Sequence, residues 1–219
     1  MSPTTYAGLV DLAAASLLLA SVLVVWRRDV RAMVTVLAVQ GLAVAALPVL
    51  EGLHGHEPSL FGIAGLMLAL RAVAIPAILA HLVRDRPEAR ETRPLVNVSA
   101  SLLVVALLTT VAYGVAQPLV ALDPTPAVHA APAALAVVLI AVFTMATRRR
   151  AMSQVIGFLM LDNGIVALAF LTTQGIPLVV ELGASLDVLL AVVVLQVLVG
   201  RMRAATGGTD LDDLAELRD

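Results

Sequence analysis

Three ionisable residues stand near the middle of long apolar stretches: Arg71, Asp162 and Asp187. Two carboxyls and one guanidinium in a low-dielectric surrounding leave one net negative charge if all ionise, so one aspartate is expected to hold a proton. A guanidinium beside one carboxyl favours its ionised form, burial favours the protonated form of the other, and hydration or a conformational change can exchange the two. That is the chemistry of a proton relay. Arginine cannot release its own proton, so Arg71 would act as an electrostatic gate and not as a carrier. The competing reading is a buried ion pair that only fixes helix packing, a task apolar residues often perform as well.

Other residues are candidates for the same path. Gln40 and Asn163 could hold waters or bond across helices. Glu181 lies about 9 Å outward from Asp187 at helical rise and could open a route to the outer face. His81, one turn before Arg84, carries a group that titrates in the physiological range and could pass protons to the cytoplasm. Asp11, near the start of the chain, is expected to meet the outer headgroups. Pro48 and Pro76 should kink their helices, and the carbonyl freed by Pro76, near Leu70 to Ala72, would lie close to Arg71.

The elements that must position these groups follow from composition. Of 219 residues, 60% are hydrophobic, 14% are charged and 3% are aromatic, and mean hydropathy is +0.99. A soluble domain carries about 45–50% apolar and about 25% charged residues, so this chain belongs in a bilayer. It has no cysteine, hence no disulfide, no iron–sulfur ligand and no thiolate zinc site. His54, His56 and His129 read as residues of polar connections, which leaves no axial ligands for a multi-haem cytochrome. The scarcity of aromatics and the lack of a phosphate-cradling glycine loop weigh against a flavin or nucleotide pocket. No cofactor, metal or catalytic residue is expected, and no nucleic acid as a partner.

A hydrocarbon core of about 30 Å takes roughly 20 apolar residues of helix. An all-α polytopic protein of about seven spans is predicted, at approximately 5–26, 30–50, 60–83, 96–118, 131–147, 151–172 and 176–201. All 14 basic residues are arginine, and 13 of them fall in alternate connections or the C-terminal segment. Because basic residues are retained on the cytoplasmic side, the N-terminus should be outside and the C-terminus cytoplasmic. The first span lacks the preceding basic residue of a signal peptide and is kept as a helix. The acidic segment with Asp210, Asp212, Asp213, Glu216 and Asp219 alternating with Leu211, Leu214 and Leu217 reads as a short amphipathic stretch.

Self-similarity organises the spans further. Trp26-Arg27-Arg28 leads into Gln40-Gly41-Leu42-Ala43, and Arg148-Arg149-Arg150 leads into Asn163-Gly164-Ile165-Val166 with the same order of residue types. Two parallel three-helix copies are therefore expected, at 1–83 and 131–203. The intervening segment 84–130 supplies a connecting helix, and 204–219 the acidic tail. A parallel repeat argues against the inverted-repeat secondary transporters.

Arg149-Arg150 through Ile156-Gly157, Asp162-Asn163-Gly164, and Gly175 through Glu181-Leu182-Gly183 to Leu186-Asp187 carry a resemblance. Over nearly the whole chain the sequence resembles the hydrogenase-4 component E family. Its last three helices are similar to the K subunit of complex I and the C subunit of multi-subunit sodium/proton antiporters, down to Asp213-Leu-Ala-Glu216-Leu-Arg218. The resemblance implies that Asp187 stands at the third-helix glutamate of the K subunit. The second-helix glutamate column falls on Leu159, with Asp162 one turn later on the same face. Arg71 stands where the first copy would repeat the third-helix acid, a place where the family favours a basic residue.

The expected function is a non-catalytic membrane-arm subunit of a complex-I-like redox assembly, such as a group 4 hydrogenase or formate hydrogenlyase. It would sit in a bacterial or archaeal cytoplasmic membrane beside antiporter-like subunits and a hydrogenase or formate dehydrogenase module. Its proton pathway would use Asp162, Asp187, Arg71, Glu181, His81, Gln40 and Asn163. The alternatives are an independent secondary transporter of a small anion held by Arg71, and a purely structural spacer.

Overall fold

Four helices of the chain open on a side chain suited to the task. Ser2, Asp29, Asn97 and Thr125 each accept a hydrogen bond from a backbone N–H in the first turn that follows, which satisfies donors that a helix start otherwise leaves orphaned. Pro3 and Pro126 sit at first helical positions, where a missing N–H costs nothing. A computed structural model describes residues 1–84 and 97–173. Among them the order is α1 (Pro3–Trp26), α2 (Val30–Gly55), α3 (Ser59–Met67), a π-helical segment (Leu68–Ala74), α4 (Ile75–Arg84), α5 (Val98–Leu122), α6 (Pro126–Thr147) and α7 (Ala151–Thr173).

The α3, π-helical and α4 pieces run on as one span, Ser59–Val83, so the described residues contain six helices long and apolar enough to cross a membrane. They contain no strand. The protein is an all-α membrane protein of the expected kind, and the seventh predicted span, 176–201, lies outside the described residues. The described residues all belong to one unit, Met1–Ala184.

Within that unit α2 and α6 occupy the interior. The first touches α1, α7 and all three pieces of the third span, and the second touches α1, α5 and α7. By contrast α5 is peripheral, leaving Leu103, Leu107, Val115 and Leu122 exposed. An apolar surface of this kind matches acyl chains, against which a helix gains nothing by sorting its residues into two faces.

Three boundaries depart from the sequence reading. Helix α2 continues to Gly55 and ends on His56 in the left-handed region, φ 58°. Its last turn therefore holds His54, which had been assigned to a polar connection. Helix α5 continues through Pro118 to Leu122, and α6 starts at Pro126 and runs through Pro132, so His129 lies inside α6. The last two share a cause: in lipid a helix keeps its remaining internal hydrogen bonds on both sides of a proline, since no water would satisfy the broken ends. Pro48 likewise sits inside α2.

Pro76 has a more pronounced effect. The π-helical segment ends immediately before α4, whose second residue is Pro76, and the Ile75 N–H bonds Leu70 O, five residues back. Widening that turn by one residue accommodates a proline that can neither donate nor pack against a normal α-turn. The widened turn has Arg71 at its centre.

Candidate functional site

Arg71 is the middle residue of the span Ser59–Val83, and Asp162 is the middle residue of α7. Their side chains meet: Arg71 Nη2 lies 2.7 Å from Asp162 Oδ2. The guanidinium is buried, whereas the side chain of Asp162 keeps 22% of its surface exposed. A lone charge of either sign at a span centre costs about 2.5–3.5 kcal/mol, and pairing at hydrogen-bond distance offsets much of that cost.

The guanidinium is also held from the side. Arg71 Nη1 donates to Asn163 Oδ1, and Asn163 Nδ2 donates to Gln40 Oε1 at 3.1 Å. Gln40 Nε2 donates to Ser21 Oγ at 2.8 Å and lies 3.5 Å from Leu17 O, and Ser21 Oγ donates to Leu17 O at 2.9 Å. One polar chain thus runs laterally from the π-helical segment through α7 to α2 and α1. Arg71, Asn163, Gln40 and Ser21 are all buried. Burying such groups is tolerable only when they are hydrogen-bonded, as these are.

Glycine permits the approach. A Cβ on Gly41, next to Gln40 on α2, would stand 2.5 Å from Arg71 O and 2.9 Å from Ala72 N. Only a residue without a side chain lets the α2 backbone reach the widened turn. On α7, Gly164 follows Asn163, and a Cβ there would meet Val137 and Val138 of α6 at 3.0 Å.

The chemical capacities of these groups differ. A carboxyl can bind and release a proton, whereas the carboxamides of Asn163 and Gln40 carry no proton titrating near neutrality and the guanidinium keeps its own. Among the described residues of this network, the Asp162 carboxyl is the group able to bind and release a proton.

The structure therefore brings together Arg71, Asp162, Asn163 and Gln40. His81 is exposed on α4, outside the network. Asp11 is exposed on α1. Asp187 and Glu181 lie outside the described residues. Leu159, where the resemblance set the second-helix acid column, is a buried apolar residue of α7.

Sequence reasoning missed three features. Ser21 closes the network; as one serine in a run of Ala, Leu and Val it gave no signal. Arg148 was counted with its neighbours as a connection residue, but it is buried, and its Nη2 donates to Val25 O at 2.7 Å, Arg27 O at 3.1 Å and Val24 O at 3.3 Å. Those are the carbonyls that the end of α1 leaves without helical partners. At the opposite end of the bundle the Tyr6 hydroxyl donates to Glu51 Oε2. The Tyr6 ring stacks on His54 with centroids 4.2 Å apart and planes 11° apart. His54 Nδ1 is enclosed there without a hydrogen-bond partner among the described residues. The spacing of Glu51 and His54, three apart on one helix face, was the available clue. Among the described residues no group of three or more His, Cys, Asp or Glu could hold a metal ion.

Comparison with known proteins adds a relationship. Over 220 residues the chain is 55% identical to "Uncharacterized protein Rv0085" of Mycobacterium tuberculosis (strain ATCC 25618 / H37Rv), covering 100% of both chains. It is 24% identical over 148 residues, 68% of each chain, to "Hydrogenase-4 component E" of Escherichia coli K12. The protein of that name from Shigella flexneri gives the same figures. No protein-family model and no solved structure matches the chain.

Proposed function

The chain belongs to the family of Mycobacterium tuberculosis Rv0085, and from that premise we propose that it is a non-catalytic membrane subunit of a complex-I-like redox assembly. The distant likeness to hydrogenase-4 component E supports this reading, and it favours an assembly of the group 4 hydrogenase or formate hydrogenlyase type. The observation that carries the mechanism is the ion pair of Arg71 and Asp162 at the centre of two spans.

In this reading Asp162 takes a proton on its carboxylate from the exposed side. The charge facing Arg71 is thereby cancelled, and the ion pair becomes a hydrogen bond from a guanidinium that stays charged to a neutral carboxyl. Loss of the same proton restores the pair. Asn163, Gln40 and Ser21 hold the guanidinium in place throughout, so that the change falls on the carboxyl and not on the arginine. Gln40 and Asn163 become positioning residues here rather than carriers. Asp187 is the second carrier of the proposal, with Glu181 and His81 as links toward the two faces. The arginine-rich ends of the spans face the cytoplasm of a prokaryotic cell, and the two three-helix copies pack through their equivalent residues Gln40 and Asn163. A small-anion transporter is less well supported, because Asp162 and Asn163 already occupy Arg71.

The test is affinity purification of the tagged chain from its native membranes in mild detergent. Antiporter-like subunits together with a hydrogenase or formate dehydrogenase module are expected to co-purify, and Asp162→Asn is expected to abolish redox-coupled proton translocation while leaving assembly intact. Solute flux catalysed by the purified chain alone would overturn the subunit reading. Unchanged pumping by Asp162→Asn and Asp187→Asn would reduce the chain to a spacer.

A further inference from the structure

A second polar feature lies away from the ion pair, at the arginine-rich end of the bundle. Arg28, following α1, the first-turn residues Val98 and Ser101 of α5, and Thr147 and Arg148 at the end of α6 line a small pocket there. No carboxylate is among its described lining residues. The Arg28 side chain is exposed, and no described residue bonds its guanidinium. Ser101 is only 6% exposed, yet its hydroxyl makes no hydrogen bond to a described residue although it faces a cavity. A hydroxyl on a mostly buried residue that opens into a cavity is free to bond a group from outside the chain.

The start of α5 adds to the same field. Asn97 Oδ1 takes the Ala100 N–H at 2.8 Å, while the N–H groups of Val98 and Ser99 belong to the first turn, where no helical acceptor exists. The Arg28 guanidinium, a hydroxyl and a helix N-terminus meet at the pocket, with the charge of Arg148, itself bonded to the end of α1, behind them, and this field favours an anion with several acceptor oxygens. Its level in the membrane identifies the source. Trp26, 53% exposed, carries the Arg27 guanidinium 5.3 Å from its ring centroid, an arrangement suited to the headgroup layer. Exposed Leu103 and Leu107 follow on α5 itself, so an acyl chain has apolar surface to lie against.

We propose that this pocket binds the phosphodiester of an anionic membrane phospholipid, with Arg28 and Ser101 as its ligands. Basic pockets between membrane helices take such headgroups. The site is independent of the proton chemistry at Asp162.

The full chain, purified in mild detergent, is tested by native mass spectrometry with phosphatidylglycerol, with phosphatidylcholine of the same acyl chains, and with inorganic phosphate as competitor. Phosphatidylglycerol is expected to be retained about tenfold more tightly than phosphatidylcholine, and Arg28→Gln to remove most of that preference, as loss of one charge-assisted contact would. Ser101→Ala is expected to weaken retention a few-fold. Arg27→Gln makes the same change of charge outside the pocket and is expected to leave retention unchanged. Equal retention of the two lipids would overturn the proposal, as would equal losses in Arg27→Gln and Arg28→Gln. Displacement of the lipid by millimolar phosphate, or an Arg28-dependent phosphate adduct of equal strength, would assign the pocket to the free anion and overturn the lipid.

Discussion

Asn163 and Gln40 are joined amide to amide at 3.1 Å, and this bond ties the mid-span charge to the first two helices. Asn163 spends its oxygen on Arg71 and its nitrogen on Gln40; Gln40 spends its own nitrogen on Ser21. Each carboxamide thus uses both of its ends, and the order of donors and acceptors along the chain is fixed.

That order makes the pair non-additive. Asn163→Leu should destabilise by about 1–3 kcal/mol, because it strips an acceptor from Arg71 and leaves the Gln40 oxygen unpaired. Gln40→Leu should cost less, since Arg71 keeps its acceptor. The double variant should be milder than the sum by about 0.6–1.7 kcal/mol, the range found for hydrogen bonds between membrane helices. A double-mutant cycle of reversible unfolding in mixed micelles measures the coupling.

Arg71→Met should be damaging. It leaves a carboxylate facing a buried, unpaired position, which costs about 3–5 kcal/mol in a fully enclosed site and less here because Asp162 is partly exposed. Adding Asp162→Asn to Arg71→Met should recover much of the loss, since no charge then remains to be solvated. Thermal unfolding of the two variants side by side gives the sign.

Gly41→Ala should lower stability by about 1–3 kcal/mol, the usual cost of overpacking. The clash is with backbone, Arg71 O and Ala72 N, which cannot swing aside as a side chain would. Hydrogen exchange should rise across Leu68–Ala74 before it rises elsewhere. Gly8→Ala on α1 meets nothing within 4 Å and should be harmless, which separates packing from a general loss of glycine.

Arg148→Gln should loosen the end of α1 rather than the helix that carries the substitution. One carboxamide cannot serve the carbonyls of Val24, Val25 and Arg27 that a single guanidinium nitrogen now reaches. Faster amide exchange near Leu23–Arg28, with the rest of α1 little changed, is the expected readout.

Arg71 and Asp162 were legible because a charge inside an apolar run has no innocent explanation at that depth. Gln40 and Asn163 stood out through the matching order of residue types after each arginine group, a signal independent of hydropathy. Ser21 and Arg148 were hidden for opposite reasons. A small hydroxyl is common in such helices, and an arginine among arginines is read as topology although its side chain can turn inward. Helix ends were misjudged at Pro118, Pro126 and Pro132, because rules learned in water treat proline as a stop. The π-helical segment was foreshadowed only as a carbonyl released near Arg71; the glycine opposite it on α2 needed coordinates.

The bond from Arg148 to the last carbonyls of α1 spans more than half of the polypeptide. During synthesis the first span must therefore enter the bilayer with its end uncapped and wait, with water or headgroups standing in, until the segment bearing Arg148 emerges from the ribosome. Early helices would be held loosely and the closing of the bundle deferred, so insertion and final docking are separate events for this chain.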